Sequence, residues 1–176
     1  NVDLVGGDTS ASMTGLTISI TCLGTAYESD IVYRNGAKEH DLVCVTGNLG
    51  TAYMGLQLLE RERIVLQTYD KATPAFEGRE YLLERQLKPE ARRDIIQKLH
   101  EAGIKPTAMM DISDGIASDL RHILKASGVG AEVDLAKLPI SEELASTCKK
   151  YGWDAFELAA GGGEDFELLF TAPAEI

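Results

Sequence analysis

Three stretches of the chain set glycine or a small residue beside carboxylates: Gly6-Gly7-Asp8-Thr9, Asp111-Ile112-Ser113-Asp114-Gly115 and Gly161-Gly162-Gly163-Glu164-Asp165. Glycine lets the backbone turn sharply and lets a ligand approach main-chain N–H groups closely. Carboxylates are hard oxygen ligands, suited to a Mg²⁺ ion that also carries phosphate oxygens. The combination answers one problem, which is holding a polyanion on an acidic protein. In the middle stretch Asp111 falls at a strand end, and Ser113 or Asp114 falls in the first turn of a helix. The N–H groups and partial positive charge of a helix N-terminus suit a phosphate. Two readings stay open there: a metal-and-phosphate loop, or a helix cap in which Ser113 or Asp114 satisfies orphan N–H groups. Asp8 likewise reads as a ligand or as an Asx-turn. Three consecutive glycines before Glu164 cost chain entropy unless the backbone needs unusual angles, which favours a functional loop over a plain hairpin.

Several alternatives are excluded. The glycine of the Asp111 loop comes one position too early for an EF-hand, and no Glu follows at its twelfth place. Neither a P-loop nor the His-Arg-Asp and Asp-Phe-Gly motifs of protein kinases occur. With 17 basic and 28 acidic residues the net charge is −11, which argues against nucleic acid as a partner because backbone phosphates need a basic face. No apolar run approaches the ~18 residues of a membrane helix, and no secretion signal opens the chain. Cys22, Cys44 and Cys148 lack metal-ligand spacing and read as reduced, mostly buried small hydrophobes of a cytoplasmic protein. His40, His100 and His122 form no cluster and read as structural or exposed.

The elements that must position these loops follow from hydrophobic periodicity. Residues 16–23 alternate apolar and hydroxyl side chains with period two, which predicts a strand with one buried face. Val2–Val5 and Ile31–Tyr33 are shorter strand candidates, with a turn over Arg34-Asn35-Gly36-Ala37-Lys38. Leu42–Thr46 is a continuous apolar run ending at Gly47, and helices are predicted over Ala52–Arg63 and Ala91–Ala102. A partial helix is expected around Gly78–Arg85, within a long connection. Ala108–Met110 is a short strand, and Ile116, Leu120, Ile123 and Leu124 form the stripe of a helix stopped by Gly128. A strand over Ala131–Leu135, a capped helix over Ser141–Lys150 and a strand over Glu167–Thr171 complete the reading. The mixture predicts an α+β fold.

Five motifs in order resemble the thiamine-monophosphate kinases of the aminoimidazole-ribonucleotide-synthetase-like superfamily. Gly6-Gly7-Asp8-Thr9 is similar to that family's Gly-Gly-Asp-Thr, and Arg34-Asn35-Gly36-Ala37 to its Arg-x-Gly-Ala turn. Val45-Thr46-Gly47-Asn48-Leu49-Gly50 resembles Val-Thr-Gly-x-Leu-Gly. Asp111-Ile112-Ser113-Asp114-Gly115-Ile116 resembles Asp-Ile-Ser-Asp-Gly-Leu, and Gly162-Gly163-Glu164-Asp165-Phe166-Glu167-Leu168 resembles Gly-Gly-Glu-Asp-Tyr-Glu-Leu. Each alone is weak; their order across nearly the whole chain is strong.

The resemblance implies a two-domain fold truncated here at both ends. Residues 1–40 would be the remainder of an N-terminal sheet domain, and 41–176 an incomplete C-terminal domain. It implies a homodimer that phosphorylates thiamine monophosphate with Mg²⁺ and ATP. Asp8, Asp111 and Asp114 would be Mg²⁺ ligands, Gly50, Thr51, Ser113 and Arg92 ATP contacts, and Glu164 a substrate contact. No residue is assigned as a general acid or base, because a phosphate acceptor is already ionised. Two departures stand out. The family usually has a metal-binding Asp where this chain has Thr51, and the Pro-x-Pro-Arg match at Arg92 has Ala91 for its second proline. The alternatives are another ATP-dependent synthetase of the superfamily, or a catalytically weak ATP-binding scaffold.

Overall fold

A computed structural model describes residues 3–69 and 71–175. The chain divides into two units, Asn1–Ile31 and Val32–Ile176. In the first, the only regular element among the described residues is a 3₁₀ turn over Glu28–Asp30. The predicted strand at 16–23 does not form; Leu16, Ile18, Ile20 and Leu23 are 72–90% exposed. An apolar stripe of period two is only half of a strand. It also needs a neighbour for its N–H and C=O groups and a layer to cover its face, and no strand forms among the described residues of this unit. Leu4 and Val5 are equally exposed, and Val2 lies outside the described residues. Cys22 is exposed too, so of the cysteines only Cys148 is fully buried.

The second unit is built on an antiparallel sheet of three strands, β1 (Leu42–Val45), β2 (Ala108–Ile112) and β3 (Glu167–Ala172), in the order β1-β3-β2. The last strand in sequence is therefore the central one. Leu169 faces Val45 on one side and Met110 on the other, while Glu167 pairs with Ile112 and Leu168 with Asp111. The predicted strand at Ile31–Tyr33 shrinks to one bond, from the Met109 N–H to the Tyr33 carbonyl at 2.9 Å. Among the described residues six α-helices lie between the strands: α1 (Thr51–Thr68), α2 (Glu80–Leu87), α3 (Arg93–Glu101), α4 (Ile116–Ser127), α5 (Glu142–Tyr151) and α6 (Ala155–Gly161). The α+β expectation holds.

Local signals explain most boundaries. The α4 stripe buries Ile116, Leu120 and Ile123, and Gly128 ends the helix in the left-handed region with φ 71°. In α5 the Ser141 hydroxyl accepts the Leu144 N–H at 3.1 Å. α1 runs five residues past Arg63, to Thr68, and its buried Glu62 accepts the Ala75 N–H at 3.1 Å. The strand expected at Ala131–Leu135 is replaced by exposed chain and a 3₁₀ turn over Leu135–Lys137, capped by Asp134. α6 leaves no periodic trace, since seven residues complete barely two turns; its start is fixed by the Asp154 carboxylate, which accepts two N–H groups at 2.7 and 3.3 Å.

Two apolar clusters hold the unit. One joins the sheet to α4 and α6 through Ile112, Leu120, Ile123, Ala159 and Leu169. The other joins α1, α2 and α5 through Met54, Leu58, Leu82, Leu144 and Cys148. Leu169 is wholly buried on the central strand. Leu169→Ala should lower unfolding free energy by about 2–5 kcal/mol through lost burial and a residual cavity. The check is a lower denaturant midpoint at unchanged slope.

Candidate active site

β2 delivers Asp111 to the edge of the unit, and the chain turns at Ser113-Asp114 into α4. The Asp111 and Asp114 carboxylates are exposed and have no hydrogen-bond or ion-pair partner among the described residues. Neither Ser113 nor Asp114 caps α4, whose N-cap is Gly115 without a side-chain bond. The turn is instead held by Asp119, 1% exposed, whose carboxylate accepts the N–H groups of Ser113 and Asp114 at 3.0 Å each. These two amides, which precede the helix, are thus occupied internally. What the turn presents outward is carboxylate oxygen.

The glycine-rich loop packs backbone against backbone on this turn. The Glu164 N–H donates to the Ser113 carbonyl at 2.9 Å and the Phe166 N–H to the Ile112 carbonyl at 2.8 Å. A Cβ on Gly163 would lie 2.6 Å from that Ser113 carbonyl oxygen, so no larger residue fits. Glu164 and Phe166 adopt φ 69° and 50°. That left-handed conformation costs a non-glycine residue about 1–3 kcal/mol and persists only where the surroundings fix it. The Glu164 side chain is exposed without a partner among the described residues. Glu164, Ser113, Asp111 and Asp114 therefore share one continuous backbone scaffold.

Asp165, next to Glu164, turns inward. It is 1% exposed, and its carboxylate accepts the N–H of Gly50 at 2.7 Å and of Ala52 at 3.4 Å. α1 has no cap of its own, so Asp165 closes it from 115 residues away. Gly50, at φ 75°, would place a Cβ 2.6 Å from the Leu158 carbonyl oxygen. Burial pushes the Asp165 carboxyl up from 3.8 to about 6, against the two amide bonds that favour its charge. Thr51 is wholly buried, and its hydroxyl donates to the Asn48 side-chain carbonyl at 2.6 Å.

Glu167, one strand residue further on, is a buried acid with cationic partners. Arg85 Nη2 lies 2.9 Å and Arg92 Nε 3.4 Å from its carboxylate, and the Thr46 hydroxyl also donates to it. Arg92 is partly exposed and lies 3.7 Å from Asp94 as well. Arg85 Nη2 further reaches the Asp165 main-chain carbonyl at 3.0 Å. Asp8 lies in the first unit, exposed, with its carboxylate accepting the adjacent Thr9 N–H at 2.8 Å.

Sequence reasoning passed over Asp119, Glu167 and Arg85, and placed Asp165 in the glycine-rich loop without a role of its own. The available signal was an acid at the head of the apolar run Leu168-Leu169-Phe170, since a charge there needs partners; its partners lie too far along the chain to be read. Among the described residues no three His, Cys, Asp or Glu side chains converge on one point. Asp111 and Asp114 alone still fit Mg²⁺, because that ion is usually held by one or two carboxylates with phosphate and water completing its shell. Two cavities of about 550 and 370 Å³ open elsewhere, beside β1 and between α1 and Trp153, and none of the predicted site residues lines them.

Residues 38–175 match the family model described as AIR synthase related protein, C-terminal domain. The chain belongs to this family, in agreement with the resemblance read from its motifs. Among its relatives, the thiamine-monophosphate kinase of Aquifex aeolicus (strain VF5) is 38% identical over 173 residues, 98% of this chain and 52% of the relative. A solved structure described as AaThiL complexed with AMPPCP and TMP matches with a TM-score of 0.67 at 42% identity, covering 82% of this chain and 43% of the other. The thiamine-monophosphate kinase from Stenotrophomonas maltophilia K279a matches with a TM-score of 0.70 at 33% identity, covering 85% and 45%. The chain spans about half the length of the curated relatives it matches.

Two predictions follow from the inward-facing groups. Thr51→Asp would bury a carboxylate against the Asn48 carbonyl oxygen and should destabilise the protein by about 1–3 kcal/mol, read as a lower melting temperature without metal. Asp165 has a folded pKa raised above its unfolded one, so its contribution to stability is complete below about 3.8 and is lost as pH rises through about 6. Asp165→Asn should flatten that segment of the stability-versus-pH curve, checked by denaturation at several pH values.

Proposed function

We propose that the whole protein is a Mg²⁺-dependent kinase that transfers the γ-phosphoryl group of ATP to thiamine monophosphate, giving thiamine diphosphate and ADP. The observation that carries this reading is the pair of unpartnered carboxylates, Asp111 and Asp114, joined through the Glu164–Ser113 backbone bond to a second exposed acid, Glu164. It is supported by relatives described as thiamine-monophosphate kinases and by a similar structure that holds the ATP analogue AMPPCP together with TMP.

In this reading Asp111 and Asp114 hold Mg²⁺, and Asp8 is a further ligand implied by the family resemblance. Mg²⁺ supplies neutralisation of the charge that gathers on the transferred phosphoryl group. Ser113 and the Gly50-Thr51 segment border the nucleotide, the latter through its backbone because Thr51 itself is enclosed. Arg92, anchored through Nε by Glu167, turns its remaining guanidinium N–H groups to a nucleotide phosphate. Glu164 contacts the thiamine substrate. No general base is needed, since the acceptor phosphate is ionised near neutral pH and phosphoryl transfer depends mainly on positioning and charge. By the family resemblance, residues 1–40 are the remainder of a sheet domain and 41–176 a C-terminal domain, while residues 32–40 pack with the second unit. The protein works as a cytoplasmic homodimer; no helix among the described residues is long and apolar enough to cross a membrane.

The test uses the full-length protein. Phosphoryl transfer from ATP to thiamine monophosphate is expected, and Asp111→Asn should reduce turnover at least tenfold, about 1.4 kcal/mol of barrier, with the fold retained. In calorimetry Glu164→Gln should weaken thiamine-monophosphate binding more than ATP binding. Absence of transfer by the intact protein, or near-normal turnover of Asp111→Asn at saturating Mg²⁺, overturns the reading.

A further inference from the structure

Asp165 lies between two groups of different assignment. Its chain neighbour Glu164 faces the acceptor substrate in the reading above, and its carboxylate binds the Gly50 and Ala52 amides, at the segment assigned to the nucleotide. The residue is 1% exposed and has no access to either ligand. Glu164 and Phe166, on its two sides, are both held in the left-handed region, so the inward turn of Asp165 coincides with the strained conformation that turns Glu164 outward. A third tie comes from Arg85, whose guanidinium bonds the Asp165 carbonyl at 3.0 Å and the Glu167 carboxylate at 2.9 Å. Glu167 in turn pairs with Arg92. The acceptor side and the nucleotide side are thus fastened to one another at this residue.

We propose that Asp165 is a positioning residue for phosphoryl transfer: by clamping the N-terminus of α1 to the loop that carries Glu164, it fixes the spacing between donor and acceptor phosphates. The inference rests on the kinase reading. Its physical basis is the steep dependence of an in-line displacement on alignment, where a misplacement of about 1 Å can cost about a hundredfold in rate. Helix capping alone would not require the acid to come from this loop, because a short polar side chain at the cap position does that work locally.

Asp165→Asn in the full-length protein keeps the side-chain volume and one acceptor, and replaces the other with an N–H₂ that faces an amide N–H. Transfer to thiamine monophosphate should fall at least about tenfold, and the ratio of that transfer to ATP hydrolysis by water at least about fivefold, while KM for each substrate moves less than about threefold. A merely structural cap would lower the folded fraction and both reactions together. An unchanged ratio in folded protein therefore overturns the proposal. If Asp165→Asn does not fold, Asp165→Glu, which keeps the charge but is one methylene longer, carries the same test: a fallen ratio supports the clamp and an unchanged one overturns it. Absence of any transfer by the wild-type protein would instead remove the kinase reading, and this inference with it.

Discussion

A carboxylate buried at the head of a central β-strand needs cations and hydrogen-bond donors around it, and Glu167 sets that condition here. It is 1% exposed and draws Arg85, Arg92 and the Thr46 hydroxyl onto one point. Through these contacts α2, the connection from α2 to α3 and the end of β1 are all fixed relative to β3. Pairs of this kind gain little net stability over a well-packed apolar replacement, but losing one partner leaves a buried charge and costs about 3–5 kcal/mol. The network therefore constrains geometry more than it raises stability. Thr46 shows this directly, since its hydroxyl donates to Glu167 and accepts the Leu168 N–H at 2.9 Å.

The other acids near β3 divide by direction. Asp119 and Asp165 point inward and accept main-chain N–H groups, each tying a loop to a helix start. Asp111, Asp114 and Glu164 point outward and have no partner among the described residues. Hydrogen bonds from amides stabilise a buried carboxylate, while desolvation opposes it. For Asp165 desolvation is the larger effect, which is why its carboxyl rises to about 6 despite two amide bonds. Acids of adjacent number, Glu164 and Asp165, thus do opposite work, and backbone direction decides which.

That direction is what the sequence does not carry. The α4 stripe, the strands at Ala108–Ile112 and Glu167–Ala172 and the Ser141 cap were legible because their signals lie within a few residues of one another. The loops were legible as loops from their glycines, and motif order located the family. What escaped was set by partners far along the chain: Asp165 meets Gly50 across 115 residues and Glu167 meets Thr46 across 121. The burial of Thr51 was not legible for a related reason, because a motif gives a position but not the face it occupies. The stretch at 16–23 fails in the opposite sense: its local pattern is good, but a strand is a property of a pair.

The same distant contacts bear on how a site without a general base would work. The three histidines lie exposed, at His40 before β1, His100 on α3 and His122 on α4, and none belongs to the loops that carry the acids. Catalysis in such a site comes from holding charged oxygens in line and screening them, so accuracy of placement takes the role that proton transfer has elsewhere. Accuracy in turn requires that the outward acids be set by something stiffer than their own side chains. Here that support is main chain against main chain: the Glu164 N–H on the Ser113 carbonyl, the Phe166 N–H on the Ile112 carbonyl, and Gly163 thin enough to allow the approach. Strain at Glu164 and Phe166 is the cost of turning adjacent residues to opposite sides within so short a loop. The glycines allow the loops to meet, the inward acids lock them together, and the outward acids inherit their geometry from that lock.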